Sequence, residues 1–117
     1  MAIFAVLFSA VGLLLIGLAV PLMRRRVKPN GLYGLRVHAT FADEWVWYEA
    51  NARSGRDLAT LGVSQIAIAG LLAILPIDPI TYALANAVFL LTGTIVFVIV
   101  GCRRADLLLK SRQSAAN

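Results

Sequence analysis

Three uninterrupted apolar stretches, Ala2–Met23, Leu58–Ile77 and Ile80–Cys102, occupy more than half of this chain, and none contains Lys, Arg, Asp or Glu. A bilayer hydrocarbon core of about 30 Å is crossed by about 20 apolar helical residues. Each stretch reaches that length. A soluble helix keeps one polar face, whereas these are apolar all round, so a water-soluble bundle is set aside. The reading is an all-α membrane protein with three transmembrane helices, at 2–23, 58–76 and 79–102. A cytoplasmic loop, 24–57, carries an interfacial amphipathic helix at 41–54, and a cytoplasmic tail covers 103–117. At 117 residues and 60% hydrophobic content this is one transmembrane domain, without room for a separate soluble core.

Charge supplies the orientation. Arg24, Arg25, Arg26 and Lys28 follow the first stretch, and Arg103, Arg104, Lys110 and Arg112 follow the third, while the connection 76–79 carries only Asp78. Basic residues so placed keep their loops on the cytoplasmic side and attract anionic head groups at about 1 kcal/mol each. Arg24, Arg25, Arg26, Lys28, Arg103 and Arg104 are therefore read as membrane-surface anchors, with the N-terminus outside and the C-terminus inside. The net charge of +5 is accounted for by this flanking and does not point to nucleic acid. A cleavable signal peptide is the rival reading of the first stretch. No basic residue precedes it, however, and it exceeds the length of a signal core. The preference for Arg over Lys and the absence of an organelle presequence favour a bacterial inner membrane.

Along the chain, Pro21 is expected to kink or end the first helix. Pro29-Asn30 reads as a turn, and Gly31 and Gly34 bracket a tight, irregular piece. Thr40, three residues ahead of Asp43, has the pattern of a capping box opening a helix. Phe41, Trp45, Tyr48 and Ala52 then fall on one face, and Glu49, Arg53 and Asp57 on another. Ser54-Gly55 is the expected hinge into the second span. Ala69, Gly70 and Ala73, and then Ala83 and Ala87, form small-residue stripes suited to close helix packing. Asp78-Pro79 is a strong helix start.

What is missing narrows the chemistry. Ion-coupled transporters place ionisable side chains within the membrane, and no span here has one. Asn86 is read as an interhelical hydrogen-bond partner, and Ser64 lacks an acid or His partner in the spans. His38 is the only histidine and is read as a solvated loop residue; with Cys102 as the only cysteine, neither a multi-His metal site nor an intramolecular disulfide is available. No catalytic residue, metal or cofactor is expected.

The distinctive residues lie in the loop, which reads P-N-G-L-Y-G-L-R-V-H-A-T-F-A-D-E-W-V-W-Y-E-A-N-A-R-S-G from Pro29. Pro29, Asn30, Gly34, Arg36, Thr40, Glu44, Trp47, Tyr48, Asn51 and Gly55 stand at spacings that resemble the signature of the SdpI-like family of bacterial membrane proteins. That family is named after the immunity protein against a sporulation-delaying toxin. Where members often carry Thr-Pro after the Arg, this chain has Val37-His38. The resemblance implies a short, three-span form that binds a toxin, lipid or protein partner through this loop without catalysis.

Physically, the same ten residues admit two compatible roles: a clasp pinning the loop to the helix ends, or a recognition surface. Arg36 could pair with Glu44, or hold a phosphate or a partner's carboxylate. Trp47 and Asn51, four apart, could dock on the turn. An accessory subunit docked on a larger membrane complex, such as a lipid or solute transporter, is the alternative reading. A channel formed by oligomerisation and a head-group enzyme using Arg36, His38 and Glu44 are further ones.

Overall fold

The computed structural model describes residues 2–116. Four helices follow one another: α1, Ala2–Met23; α2, His38–Ala42; α3, Glu44–Ala73; and α4, Pro79–Ala116. α1, α3 and α4 are each long and apolar enough to cross a membrane, and no strand occurs among the described residues. The protein is a multi-pass membrane protein. α3 is the central element. It packs along α1 on one side and α4 on the other, while α1 and α4 scarcely meet.

The bundle measures 60 × 22 × 20 Å. A bilayer with its head groups accounts for about 40–45 Å, so the long axis leaves a part of the protein outside it. That part is a small helical head formed by the loop after α1, α2, the first turns of α3 and the end of α4. Ala39, Val46, Ala50 and Ala105 form its fully buried centre, with Leu35, Val37, Leu108 and Leu109 packed around them.

Helix termini follow the local chemistry. Asp78 caps α4: its carboxylate accepts from the Thr81 backbone N–H at 3.0 Å and from the Thr81 hydroxyl at 2.5 Å. These groups hold the Asp78 carboxyl below its ordinary range, the hydroxyl first and the backbone N–H next. α1 runs two residues past Pro21 and then closes in a Schellman arrangement. The Arg26 N–H reaches the Pro21 carbonyl at 3.0 Å, the Arg25 N–H reaches the Leu22 carbonyl at 3.2 Å, and Arg25 adopts the left-handed conformation, φ 56°.

α1 and α3 cross where both lack side chains. A Cβ on Gly62 would stand 2.6 Å from the Gly12 carbonyl oxygen, and one on Gly12 would stand 2.7 Å from that of Gly62. Seven residues along each antiparallel helix, Gly55 meets Ala19, whose carbonyl lies 2.9 Å from where its Cβ would be. Without a hydrophobic driving force between helices in lipid, such close backbone approach is what lets two helices hold each other.

The organisation of residues 40–57 departs from the sequence expectation. Instead of an interfacial helix over 41–54 opened by Thr40, α2 stops at Ala42, Asp43 is extended (φ −151°), and α3 starts afresh at Glu44. The better capping group takes the N-cap: the Asp43 carboxylate accepts the Trp45 N–H at 2.8 Å. No hinge occurs at Ser54-Gly55, and α3 continues through to Ala73. A glycine in mid-helix costs about 1 kcal/mol against alanine, and at Gly55 the contact with α1 offsets it.

Two more expectations change. The small-residue stripes do not form the helix seams: Gly70, Ala73 and Ala87 are exposed, and only Ala69 of that group is buried. The expected tail, 103–117, is not a segment apart from the third span: α4 stays helical to Ala116, and Arg112 ties it to Asp43.

Candidate functional site

The head is organised by a clasp between the loop 27–37 and one face of α3. Asn30 forms the first turn of the loop. Its Oδ1 accepts the backbone N–H groups of Leu32 and Tyr33, at 2.8 and 2.7 Å, and its Nδ2 donates to the carbonyls of Lys28 and Tyr33, at 2.7 and 3.1 Å. One side chain thereby satisfies four backbone groups that the irregular loop cannot pair within itself. The Tyr33 hydroxyl then donates to the Leu18 carbonyl of α1, and burial pushes its pKa up.

Gly34 follows with φ 109°, a conformation open to glycine and strained for other residues. Its position also has no room for a side chain, since a Cβ would lie 2.9 Å from Asn51 Oδ1 and 3.3 Å from the Trp47 ring. Two separate constraints therefore select glycine.

Trp47 and Asn51 are the jaws on α3. Both are buried, Trp47 entirely and Asn51 at 2% exposure. The Trp47 indole N–H donates to the Val27 carbonyl at 2.8 Å. Asn51 Oδ1 accepts the Leu35 N–H at 2.6 Å, and its Nδ2 donates to the Trp47 carbonyl at 2.9 Å. Each jaw thus grips a backbone group of the loop, Val27 on one side of the turn and Leu35 on the other. Thr40 is nearly fully buried beside them; its hydroxyl accepts the Val37 N–H at 3.0 Å and reaches the Leu35 carbonyl at 2.9 Å.

Ion pairs surround this neutral centre. Glu49 receives Arg25 at 2.6 Å and Arg53 at 3.1 Å; Arg104 of α4 meets Asp57 at 3.0 Å, and Arg112 meets Asp43 at 3.2 Å. Arg25 above all holds the Glu49 carboxyl below its ordinary range. At Asp43 desolvation acts upward, but the Arg112 guanidinium and the Trp45 N–H outweigh it and the net shift is downward. Arg112 also lies 5.0 Å over the Trp45 ring, a cation–π contact.

The structure brings Asn30, Gly34, Thr40, Trp47 and Asn51 together and leaves other predicted site residues outside. Arg36 donates to the Gly31 carbonyl, whereas Glu44 is exposed in the first turn of α3, and no Arg36–Glu44 pair forms among the described residues. Glu44 points outward because the cap at Asp43 sets the helix phase. Tyr48 lines a shallow recess of about 270 Å³ with Arg25, Trp45 and Glu49, and Gly55 belongs to the contact with α1. Pro29 is exposed, as are Arg24, Arg26, Lys28 and Arg103 among the expected anchors, while Arg25 and Arg104 are paired with acids.

Sequence reasoning missed two carriers of the site. Asp43 both caps α3 and ties down α4; a signal for the cap is the Asp immediately ahead of a helical run. The Val27 carbonyl grips Trp47 through the backbone and leaves no residue-type signal. In the membrane region, Asn86 is the hydrogen-bond partner expected of it: Gln65 Nε2 donates to Asn86 Oδ1 at 2.7 Å, both fully buried, and the Tyr82 hydroxyl donates to the Ala69 carbonyl at 2.8 Å.

Chemically, this arrangement holds and displays. Its buried polar atoms are spent on backbone groups, and facing outward are Leu32 at 92% exposure, Phe41 at 55% and Trp45 at 42%. Set against known proteins, the family model of the SdpI/YfhL protein family matches residues 26–102, from the loop after α1 to the end of the apolar part of α4. No curated protein and no solved structure matches.

Proposed function

The chain belongs to the SdpI/YfhL protein family, a membrane family of the immunity type, and on that premise we propose that it is a non-enzymatic binding protein whose clasped head is its recognition surface. The observation that carries this reading is the division of labour in the loop. Asn30, Trp47 and Asn51 spend their polar groups on the loop backbone, which fixes Leu32 in an exposed position, while α2 and the first turn of α3 hold Phe41 and Trp45 exposed. A pre-ordered set of exposed apolar side chains, with Arg112 over Trp45, loses little conformational entropy on binding. It suits a toxin or protein partner that brings apolar side chains and some negative charge.

The basic flanks support a placement in the bacterial inner membrane with the head and C-terminus cytoplasmic and the N-terminus outside. In a Cys102→Ser background, Asp78→Cys and Trp45→Cys should react with an impermeant thiol reagent from opposite sides, and labelling of both from the outside would overturn that placement.

Purification from native membrane in mild detergent tests the function. The wild type should retain a stoichiometric protein partner, and a Leu32→Ser, Trp45→Ala variant should lose it while still inserting. Trp47→Ala should lose it by releasing the loop. Association that survives all these changes would refute the reading. Capture of a large transport complex would assign the chain as its accessory subunit.

A further inference from the structure

A groove of about 440 Å³ runs between α3 and α4, with no residue of α1 in its lining. Its walls are apolar, formed by Leu61, Phe89, Val96 and Val100, and its mouth carries Asp57 and Thr60. At Gly93 its floor is closed by contact: a Cβ there would stand 2.6 Å from Leu61 Cδ1. Just beyond the mouth, Arg104 holds Asp57 at 3.0 Å, with both side chains partly exposed.

We propose that this groove seats one phospholipid carrying a phosphate and a primary ammonium in its head group, with an acyl chain between α3 and α4. The inference rests on the membrane placement of the helices and not on what the clasp binds. The first argument is depth. From Val100 to Phe89 the groove follows α4 for 11 residues, about 16 Å at 1.5 Å per residue. One leaflet supplies half of a hydrocarbon core of about 30 Å. The groove therefore begins at the charged layer and ends near the bilayer middle, where Gln65 and Asn86 close the bundle. A chain entering from the head-group side fits that span.

The second argument is charge. The carboxylate at the mouth and the guanidinium just beyond it stand side by side. A purely anionic head group meets repulsion from Asp57 as well as attraction from Arg104. A head group with both charges pairs with both. Arg104 uses NH1 on Asp57, and a guanidinium has five N–H donors in all, so others remain for a phosphate. The Thr60 hydroxyl donates to the Arg56 carbonyl at 3.0 Å, which leaves its oxygen as an acceptor beside the carboxylate. Arg56 and Arg103, both exposed and next in sequence to Asp57 and Arg104, add attraction for any phosphate; Asp57 is what selects the ammonium.

Native mass spectrometry of the protein released from bilayers of equal phosphatidylethanolamine and phosphatidylglycerol tests this. The wild type should retain one lipid, with the ethanolamine form favoured by about fivefold, the scale of a partly exposed ion pair. Asp57→Asn should remove or reverse that preference. Val96→Trp fills the groove from a lipid-facing position and should reduce retention to the level of chance adducts. Val88→Trp, equally lipid-facing but outside the groove, should leave retention unchanged. No retained lipid, equal retention of the two lipids, or retention unaltered by Val96→Trp would overturn the proposal. So would a dimer that Val96→Trp dissociates, since a second copy would then fill the groove. Both groove variants keep the clasp, so partner co-purification separates failure here from failure of the function proposed above.

Discussion

Asn51→Ala is the sharpest probe of the clasp. In the wild type the Asn51 amide oxygen takes the Leu35 N–H at 2.6 Å, in a site where Asn51 is only 2% exposed. Truncation leaves that N–H without its acceptor, and stranding a buried donor costs about 1–3 kcal/mol. The Trp47 carbonyl, which also loses the Asn51 amide, sits within α3 and suffers less. The penalty falls on the closed state of the loop and hardly on the helix that carries the residue, so the expected response is local opening rather than unfolding. Opening is readable at Arg36, since trypsin cuts after arginine and the 36–37 bond lies inside the clasped segment. Cleavage of a fast local opening follows the open population, so the rate after Arg36 should rise about 5- to 150-fold. Trp47→Phe offers a graded comparison. It keeps a ring against Gly34 but loses the 2.8 Å bond to Val27, a net loss of about 0.5–1.5 kcal/mol and about a 2- to 13-fold rise. The assay is limited proteolysis in one detergent with fragments identified by mass. A cleavage rate for Asn51→Ala within twofold of wild type, with intact insertion, would refute the idea that Asn51 holds the loop.

Four further outcomes follow from the geometry. Gly62→Ala should lower the melting temperature in detergent, because its Cβ would press on the Gly12 carbonyl at 2.6 Å, whereas Gly70→Ala, which has open space, should raise it slightly through helix propensity; equal shifts of the same sign would contradict the crossing. In a double-mutant cycle of Gln65→Leu and Asn86→Leu the coupling should be about 0.6 kcal/mol and no more than about 1.7, the range measured for polar pairs in membranes; an additive cycle would show that the 2.7 Å contact contributes nothing. Glu49 has a depressed pKa, chiefly through Arg25, so its contribution is present above the ordinary carboxylate pKa and is lost as pH falls through the lowered folded value. Between pH 6 and 3 the melting temperature of wild type should therefore fall more than that of Glu49→Gln, and parallel curves would exclude this linkage. Finally, 1 M salt shortens the screening length to about 3 Å but leaves neutral hydrogen bonds in place, so cleavage after Arg36 should change less than twofold between low and high salt.

The sequence carries the membrane architecture because three apolar runs of spanning length leave few alternatives. It is less explicit about how the runs meet. Gly12 and Gly17 lie five apart and suggest no seam when α1 is read by itself. The seam appears only when α1 is laid antiparallel on α3, where the seven-residue spacing of Gly12 and Ala19 matches that of Gly62 and Gly55. The break at Asp43 was obscured for a related reason: Thr40 and Asp43 can each cap a helix, and the choice depends on Leu35 and Val37, whose backbone groups occupy the Thr40 hydroxyl. The Arg36–Glu44 pairing failed because opposite charge eight residues apart says nothing about direction once an extended residue intervenes.

These differences bear on how the head is held. Three of its acids, Asp43 at the N-cap of α3 and Glu49 and Asp57 in its first half, each bind a different partner segment: the end of α4, the turn after α1, and the level where α4 leaves its apolar stretch. α3 is thus the spine to which both neighbours are tied. Such half-exposed pairs contribute about 0–1 kcal/mol each, too little to fix a loop of irregular backbone. That task falls to uncharged groups, since a buried backbone N–H without a partner costs more than a surface pair returns. Asn30, Trp47 and Asn51 meet it with neutral hydrogen bonds, whereas an ionic clasp would be weakened by salt. A neutral clasp keeps the shape of the loop independent of the surrounding arginines and of salt. That independence is what the proposed role requires, since a surface for recognition must hold its shape whatever ions surround it.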